Sequence, residues 1–177
     1  MKKSLAGLFA VLLLVSCHDV KKQKQLDEVR SMISALDSTA VAWENAQSDS
    51  VAAILADVTT VEENIRRNYS SADTITLEFG QKLEAYKQIR TGLTAFNEAN
   101  AKVLPEVAKE RSALEALQRD IQAGAGDRSA YDEYIRFEKN KVRQLNVLLH
   151  IRMETKTKCV NSYRELQEEV RTFSEPH

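Results

Sequence analysis

Three long apolar stripes, each stepping by three or four residues, constrain this chain more than anything else in it. The first runs Leu26, Val29, Ile33, Leu36, Ala40, Trp43, Gln47, Val51, Ile54, Val58, Val61, Ile65 and Tyr69. The second runs Phe79, Leu83, Tyr86, Ile89, Leu93, Phe96, Asn100, Val103, Val107, Glu110, Leu114, Leu117 and Ile121. The third runs Tyr131, Ile135, Glu138, Val142, Leu145, Leu149, Arg152, Lys156, Cys159, Tyr163, Leu166, Val170 and Phe173. Each has 13 positions, of which 12, 11 and 10 are apolar, whereas chance at 43% apolar composition fills about six. The third alternates steps of four and three throughout, the heptad pattern of helices that pack as coiled coils.

Few residues interrupt these stripes. After Cys17 only Gly80, Gly92, Gly124, Gly126, Pro105 and Pro176 break the helix-forming composition. Between the first two stripes, Ser70-Ser71-Ala72-Asp73 offers Asp73 as a cap for the next helix. Between the second and third, Gly124 suits a left-handed helix end, and Ser129 with Asp132 has the spacing of a capping box. The spacing predicts helices over roughly 20–69, 74–123 and 129–173. Matched lengths and short connections predict an all-α fold, a long antiparallel three-helix coiled-coil bundle about 70 Å long at ~1.5 Å per residue. Its shape resembles spectrin-type three-helix coiled coils, an analogy of architecture that carries no function.

The middle of this expected bundle is weaker than its ends. Around Gln47 the step pattern stutters, and Asn45, Ser48, Asp49 and Ser50 cluster there, so the first helix is either locally unwound or broken in two. Pro105 lacks an N–H inside the second helix and calls for a kink or an immediate restart. Folding the chain at its two connections brings Trp43, Glu98 and Arg152 to one level, with Lys156 one turn on from Arg152. This polarity at Trp43, Arg152 and Lys156 is either a site or a seam that fixes register, and the seam is the favoured reading.

The N-terminus reads Met1-Lys2-Lys3-Ser4, then an apolar run from Leu5 to Val15, then Ser16-Cys17. Basic start, apolar core and small residue are the parts of a secretory leader, and 11 apolar residues are too few for a span of about 20. Leu14-Val15-Ser16-Cys17 resembles the lipobox of bacterial lipoproteins. That resemblance covers residues 1–17 and implies cleavage between Ser16 and Cys17 with a lipid on the Cys17 sulfur. In enterobacterial members an Asp directly after the cysteine retains the protein on the inner membrane. Here His18 stands there and Asp19 follows, which points to the outer membrane, facing the periplasm, ahead of the inner membrane or cell surface. The layout expected is a cleaved leader over 1–16, lipidated Cys17 and a tether over 17–24, the bundle over 25–173 and a tail over 174–177. Lys21, Lys22 and Lys24 follow the anchor closely and either touch lipid headgroups or form a solvated linker.

Removing 16 of 177 residues leaves 161, enough for one domain. The leader holds two of the 25 basic residues and none of the 26 acids, so the remainder carries a formal charge of −3 and no basic field for nucleic acid. With Cys17 committed to lipid, Cys159 has no disulfide partner, and its stripe position reads as a small buried hydrophobe. His150 is the one histidine of the body, which leaves no His pair and no Glu-x-x-His motif for a metal. No Gly-x-Ser-x-Gly elbow occurs, and Gly124-Ala125-Gly126 lacks the Lys-Ser/Thr ending of a phosphate loop. Glu62-Glu63 and Glu168-Glu169 are adjacent pairs, which splay around a helix and read as solvated face.

The sequence therefore carries the expectation of a non-enzymatic envelope lipoprotein, without cofactor or metal, that offers helical surfaces to a protein partner or cell-wall material. In layout it resembles the helical coiled-coil lipoproteins of bacterial envelopes, a class with no shared active site. The alternatives are a periplasmic carrier or chaperone that opens its weak middle to an apolar ligand or unfolded chain, and a regulator of an envelope enzyme.

Overall fold

Every stripe position that the structure describes is buried or half-buried, so the heptad pattern does become the inward face of helices. The structure is a computed structural model that describes the backbone of residues 3–47, 49–68 and 75–175, with side chains from residue 20 onward within them, apart from residue 49. The elements are α1 (Lys3–Ala46), α2 (Asp49–Asn68), α3 (Leu77–Ala123), a 3-10 turn (Arg128–Ala130) and α4 (Tyr131–Ser174). The chain is all-α, and among the described residues no strand occurs.

The helix ends follow local chemistry, with one break that the sequence reading allowed and three departures from it. The first stripe is carried by two helices: the Gln47 amide donates to the Glu44 carbonyl at 3.0 Å and closes α1, and α2 begins two residues later. A stutter followed by a polar cluster is enough to break the helix there. The third helix starts at Leu77, where Thr76 Oγ1 accepts the Phe79 amide at 3.2 Å as its cap; Asp73 lies outside the described residues. Through Pro105, in contrast, α3 runs unbroken. Only one backbone donor is lost there, and the exposed position leaves the orphaned carbonyl open to water.

The third departure is at the α3–α4 connection. Gly124 takes φ +64°, its amide donates to Ile121 O, and Ala125 N donates to Asp120 O, the paired bonds of a Schellman ending. The Ser129–Asp132 capping box does not form. Asp127 is the cap instead, accepting both the Ser129 amide (2.9 Å) and the Ser129 hydroxyl (2.6 Å). Those bonds hold the Asp127 carboxyl below its ordinary pKa, hydroxyl donor first.

The chain divides into two compact units where the stripes suggested one domain. Unit 1 comprises Met1–Ala40 and Glu106–Asn146, and unit 2 comprises Val41–Pro105 and Val147–His177. Within unit 1, α1 and α3 run antiparallel, tied by Asp37–Arg111 at 2.8 Å and by Lys22 Nζ donating to Gln122 O at 2.8 Å. The same stretch of α1 runs parallel to α4, with Gln25 on Asp132 and Thr39 on Asn146, each pair 107 residues apart. The core between them is Val29 and Leu36, Leu114 and Ile121, and Tyr131, Ile135 and Val142.

Unit 2 repeats this arrangement. Its α2 is parallel to α4, with Tyr163 on Asp57 and Asn68 on the Ser174 carbonyl, each 106 residues apart. Its α3 segment is antiparallel to both, through Arg90–Glu62 at 2.7 Å and Lys82–Glu169 at 2.9 Å. Trp43, Val58, Tyr86, Ile89, Leu93, Leu149 and Val170 are all but sealed from solvent. Burying each such side chain is worth about 1.5–3 kcal/mol. Ser174 ends α4 and is buried, and the backbone of residues 17–24 is helical within α1.

Candidate functional site

The anchor motif comes first in the chain. The side chains of Leu14, Val15, Ser16, Cys17, His18 and Asp19 lie outside the described residues, as do Tyr69 to Asp73 and the C-terminal Pro176 and His177. The α1 backbone passes through residue 17 as continuous helix and delivers the three lysines to one end of unit 1. Lys21 pairs with Asp132 at 2.8 Å, Lys22 caps the Gln122 carbonyl, and Lys24 is exposed. Hydrogen bonds from Lys21 and then Gln25 hold the Asp132 carboxyl below its ordinary pKa. Two of the three lysines are thus built into the bundle end.

The polar seam is built differently from its sequence reading. Trp43 is fully buried, its ring centroid lies 4.9 Å from that of Phe96, and its indole Nε1 donates to Asn100 Oδ1 at 3.2 Å. Asn100 therefore takes the place given to Glu98, which is exposed. A buried indole needs an acceptor, and this explains the polar residue in the second stripe. Arg152 is half-buried and donates from Nη1 to the Ala95 carbonyl at 3.3 Å. Lys156 is half-buried and has no hydrogen-bond or ion-pair partner among the described residues. Among the described residues no hydrogen bond or ion pair joins Trp43, Arg152 and Lys156 to one another, so they do not form one constellation.

Two ionic clusters lie where the sequence reading placed none. In unit 1, Glu110 and Glu138 both meet Lys141 Nζ at 2.7 Å. Burial, then contact with Glu138, holds the Glu110 carboxyl above the ordinary range. Burial also pushes Glu138 up, but hydrogen bonds from Glu110 and Lys141 more than offset it and leave it below. Lys141 pays a burial penalty that the two carboxylates outweigh, so its ammonium is held on more firmly than usual. Both glutamates interrupt stripes as charged positions, which is the one signal that could have found them.

In unit 2, Tyr163 donates to Asp57 Oδ2 at 2.8 Å while Arg171 meets Oδ1 at 2.6 Å. Tyr86 stacks beside Tyr163 at 6.4 Å, with its hydroxyl buried and unpartnered among the described residues. Burial, then the Asp57 charge, pushes the Tyr86 phenol far above the ordinary range. Glu62, read as solvated face, is half-buried on Arg90, and its Oε1 finds no partner among the described residues. Glu63 and Glu168 are exposed as expected, and Glu169 pairs with Lys82.

These clusters hold helices in register. Burial raises the Cys159 thiol above its ordinary pKa, which disfavours the reactive thiolate. Among the described residues no group of three or more His, Cys, Asp or Glu side chains could hold a metal ion. No described helix is long and apolar enough to cross a membrane. Comparison with known protein families, curated proteins and solved structures finds no match to this chain.

Proposed function

We propose that this chain is a lipid-anchored protein of the bacterial cell envelope that acts without catalysis, by presenting helical surfaces to a protein partner or to cell-wall material. The observation that carries the proposal is Leu14-Val15-Ser16-Cys17 closing a short apolar leader, a lipobox-like ending that supplies a thiol for lipid. His18 after the cysteine favours the outer membrane, with the helical body in the periplasm. The chemistry of the body supports a binding role, because its interfacial ion pairs link helix to helix. Surface apolar groups support it as well. In unit 2, Val147, Leu148 and Ile151 lie about half-exposed within little more than one turn of α4. Apolar side chains grouped in this way are what a protein partner covers.

Labelling cells with a radioactive fatty acid tests the anchor. The wild-type protein should take up label and fractionate with outer membranes. Cys17→Ala should abolish the label and release or stall the protein. A wild-type chain that stays membrane-bound without any label would overturn the proposal.

A further inference from the structure

Unit 1 ends in a recess of about 420 Å³ between residues 21–25 of α1, the C-terminus of α3 and the turn before α4. Three cations line it, Lys21, Lys22 and Arg128, together with Gln25 and Ser129, and no carboxylate is among the lining residues. Each cation is already fixed by one bond: Lys21 to Asp132, Lys22 to Gln122 O and Arg128 Nε to Gly124 O at 2.7 Å. An ammonium carries three N–H donors and a guanidinium five, so every one of these groups is positioned and still has donors to offer. The carbonyls at the end of α3 would repel an anion. Lys22 covers that of Gln122, the Schellman bonds take those of Asp120 and Ile121, and Arg128 covers the Gly124 carbonyl just past the helix. The nearby acids are also engaged, Asp132 by Lys21 and Asp127 by Ser129.

We propose that this recess binds the phosphate of an anionic lipid headgroup, so that the base of unit 1 seats directly on the membrane. The inference rests on the proposed lipid at Cys17, and the geometry of α1 supplies the depth. At ~1.5 Å per residue, Lys21 and Lys22 lie about 6–8 Å along the helix from residue 17. A headgroup layer is about 5–7 Å deep on each face of a bilayer. Acyl chains leaving residue 17 would therefore hold the recess at phosphate level. A recess of this size falls in the range of ligand sites, and the apolar Ile121 and Ala123 on its wall suit an amphipathic ligand better than a bare ion. Lys24, exposed on α1, adds a cation that can reach neighbouring headgroups.

The test uses the full chain purified from envelopes and placed in nanodiscs of phosphatidylcholine, with or without phosphatidylglycerol, while amide signals of Gly124, Gly126 and Ser129 are recorded. Those signals should shift saturably with phosphatidylglycerol and stay put in phosphatidylcholine alone or with inorganic phosphate at equal concentration. A juxtamembrane cation contributes roughly fivefold in affinity, so Lys22→Gln with Arg128→Gln should raise the half-saturating lipid fraction roughly 25-fold. The charge-keeping pair Lys22→Arg with Arg128→Lys should stay close to wild type. No shift with phosphatidylglycerol, an equal shift in phosphatidylcholine or an equal response to inorganic phosphate would each overturn the proposal. The intact mass of the same sample separates it from the anchor. A lipidated chain with a silent recess defeats the recess alone, and an unlipidated chain whose recess responds defeats the anchor alone.

Discussion

Gly92 sits on α3 where α4 approaches closely, and a single methyl group there probes the packing of unit 2. A Cβ built on Gly92 meets Cys159 Sγ at 2.5 Å and Thr155 Cγ2 at 3.4 Å. The second distance is tight but tolerable, whereas the first requires the buried Cys159 side chain or the helix itself to move. In an exposed helix interior, Gly→Ala stabilises by about 1 kcal/mol. Overpacking a filled core costs about 1–3 kcal/mol. Gly92→Ala should therefore destabilise by on the order of 1 kcal/mol, the clash outweighing the helix propensity it gains. Gly80 is the internal control, because its added Cβ would meet only Ile75 Cγ2, at 3.9 Å. Gly80→Ala should stabilise by about 0.5–1 kcal/mol. Removing the obstacle should reverse the sign at Gly92. In a Cys159→Ala background, Gly92→Ala should become stabilising, with a coupling of about 1–3 kcal/mol between the two sites. Guanidinium unfolding followed by circular dichroism measures the midpoint of each variant and of the wild type. If Gly92→Ala raises the midpoint as much as Gly80→Ala does, and equally in both backgrounds, the close α3–α4 approach is wrong.

Further outcomes follow from burial. Leu149 is fully buried, so Leu149→Ala should cost about 2–5 kcal/mol and lower the melting temperature by roughly 5–20 °C, as calorimetry would record. Lys139, a mostly exposed partner of Glu28 at 3.7 Å, should change stability by under about 1 kcal/mol when replaced by Ala. Tyr163→Phe loses the bond to Asp57 and should destabilise by about 1–2 kcal/mol, while Tyr86→Phe removes a buried hydroxyl that has no partner among the described residues and should be neutral or stabilising. Burial raises both phenols, so their contribution to stability is complete below the ordinary tyrosine pKa near 10 and is lost as pH rises above it. Unfolding midpoints between pH 8 and about 11 should fall less steeply in Tyr86→Phe than in wild type, and equal slopes would exclude that role for Tyr86.

What the sequence made legible was periodicity and local end chemistry. The stripe from Tyr131 to Phe173 has no exposed member, and even its charged positions Glu138, Arg152 and Lys156 are half-buried. The stutter at Gln47 and the glycine at 124 marked real helix ends. Partners across helices were beyond this kind of reading. Glu62 looks solvated beside Glu63, and only the register of α3, which sets Arg90 against it, makes it an interfacial group. Trp43 was placed at the level of Glu98, but a shift of two residues along α3 decides that Asn100 accepts its N–H. The Glu110–Glu138–Lys141 cluster has the same origin, because each charge is visible as an interruption of its stripe but the meeting depends on how α3 faces α4. The capping box failed for a more local reason. Asp127 lies ahead of Ser129 and takes both its amide and its hydroxyl, while Asp132 is drawn to Lys21 and Gln25 on α1. The division into two units left no mark in the stripes, which continue through Pro105 and Asn146 without a change of phase.

The proposed function stands on the thiol of Cys17, and the mass of the N-terminal peptide tests it most directly. Protein extracted from envelopes and digested should yield a first peptide that begins at Cys17 and carries the added mass of a diacylglycerol, with further acylation of its amino group allowed. A peptide that begins at Met1, or one that begins elsewhere with an unmodified Cys17, would contradict the account.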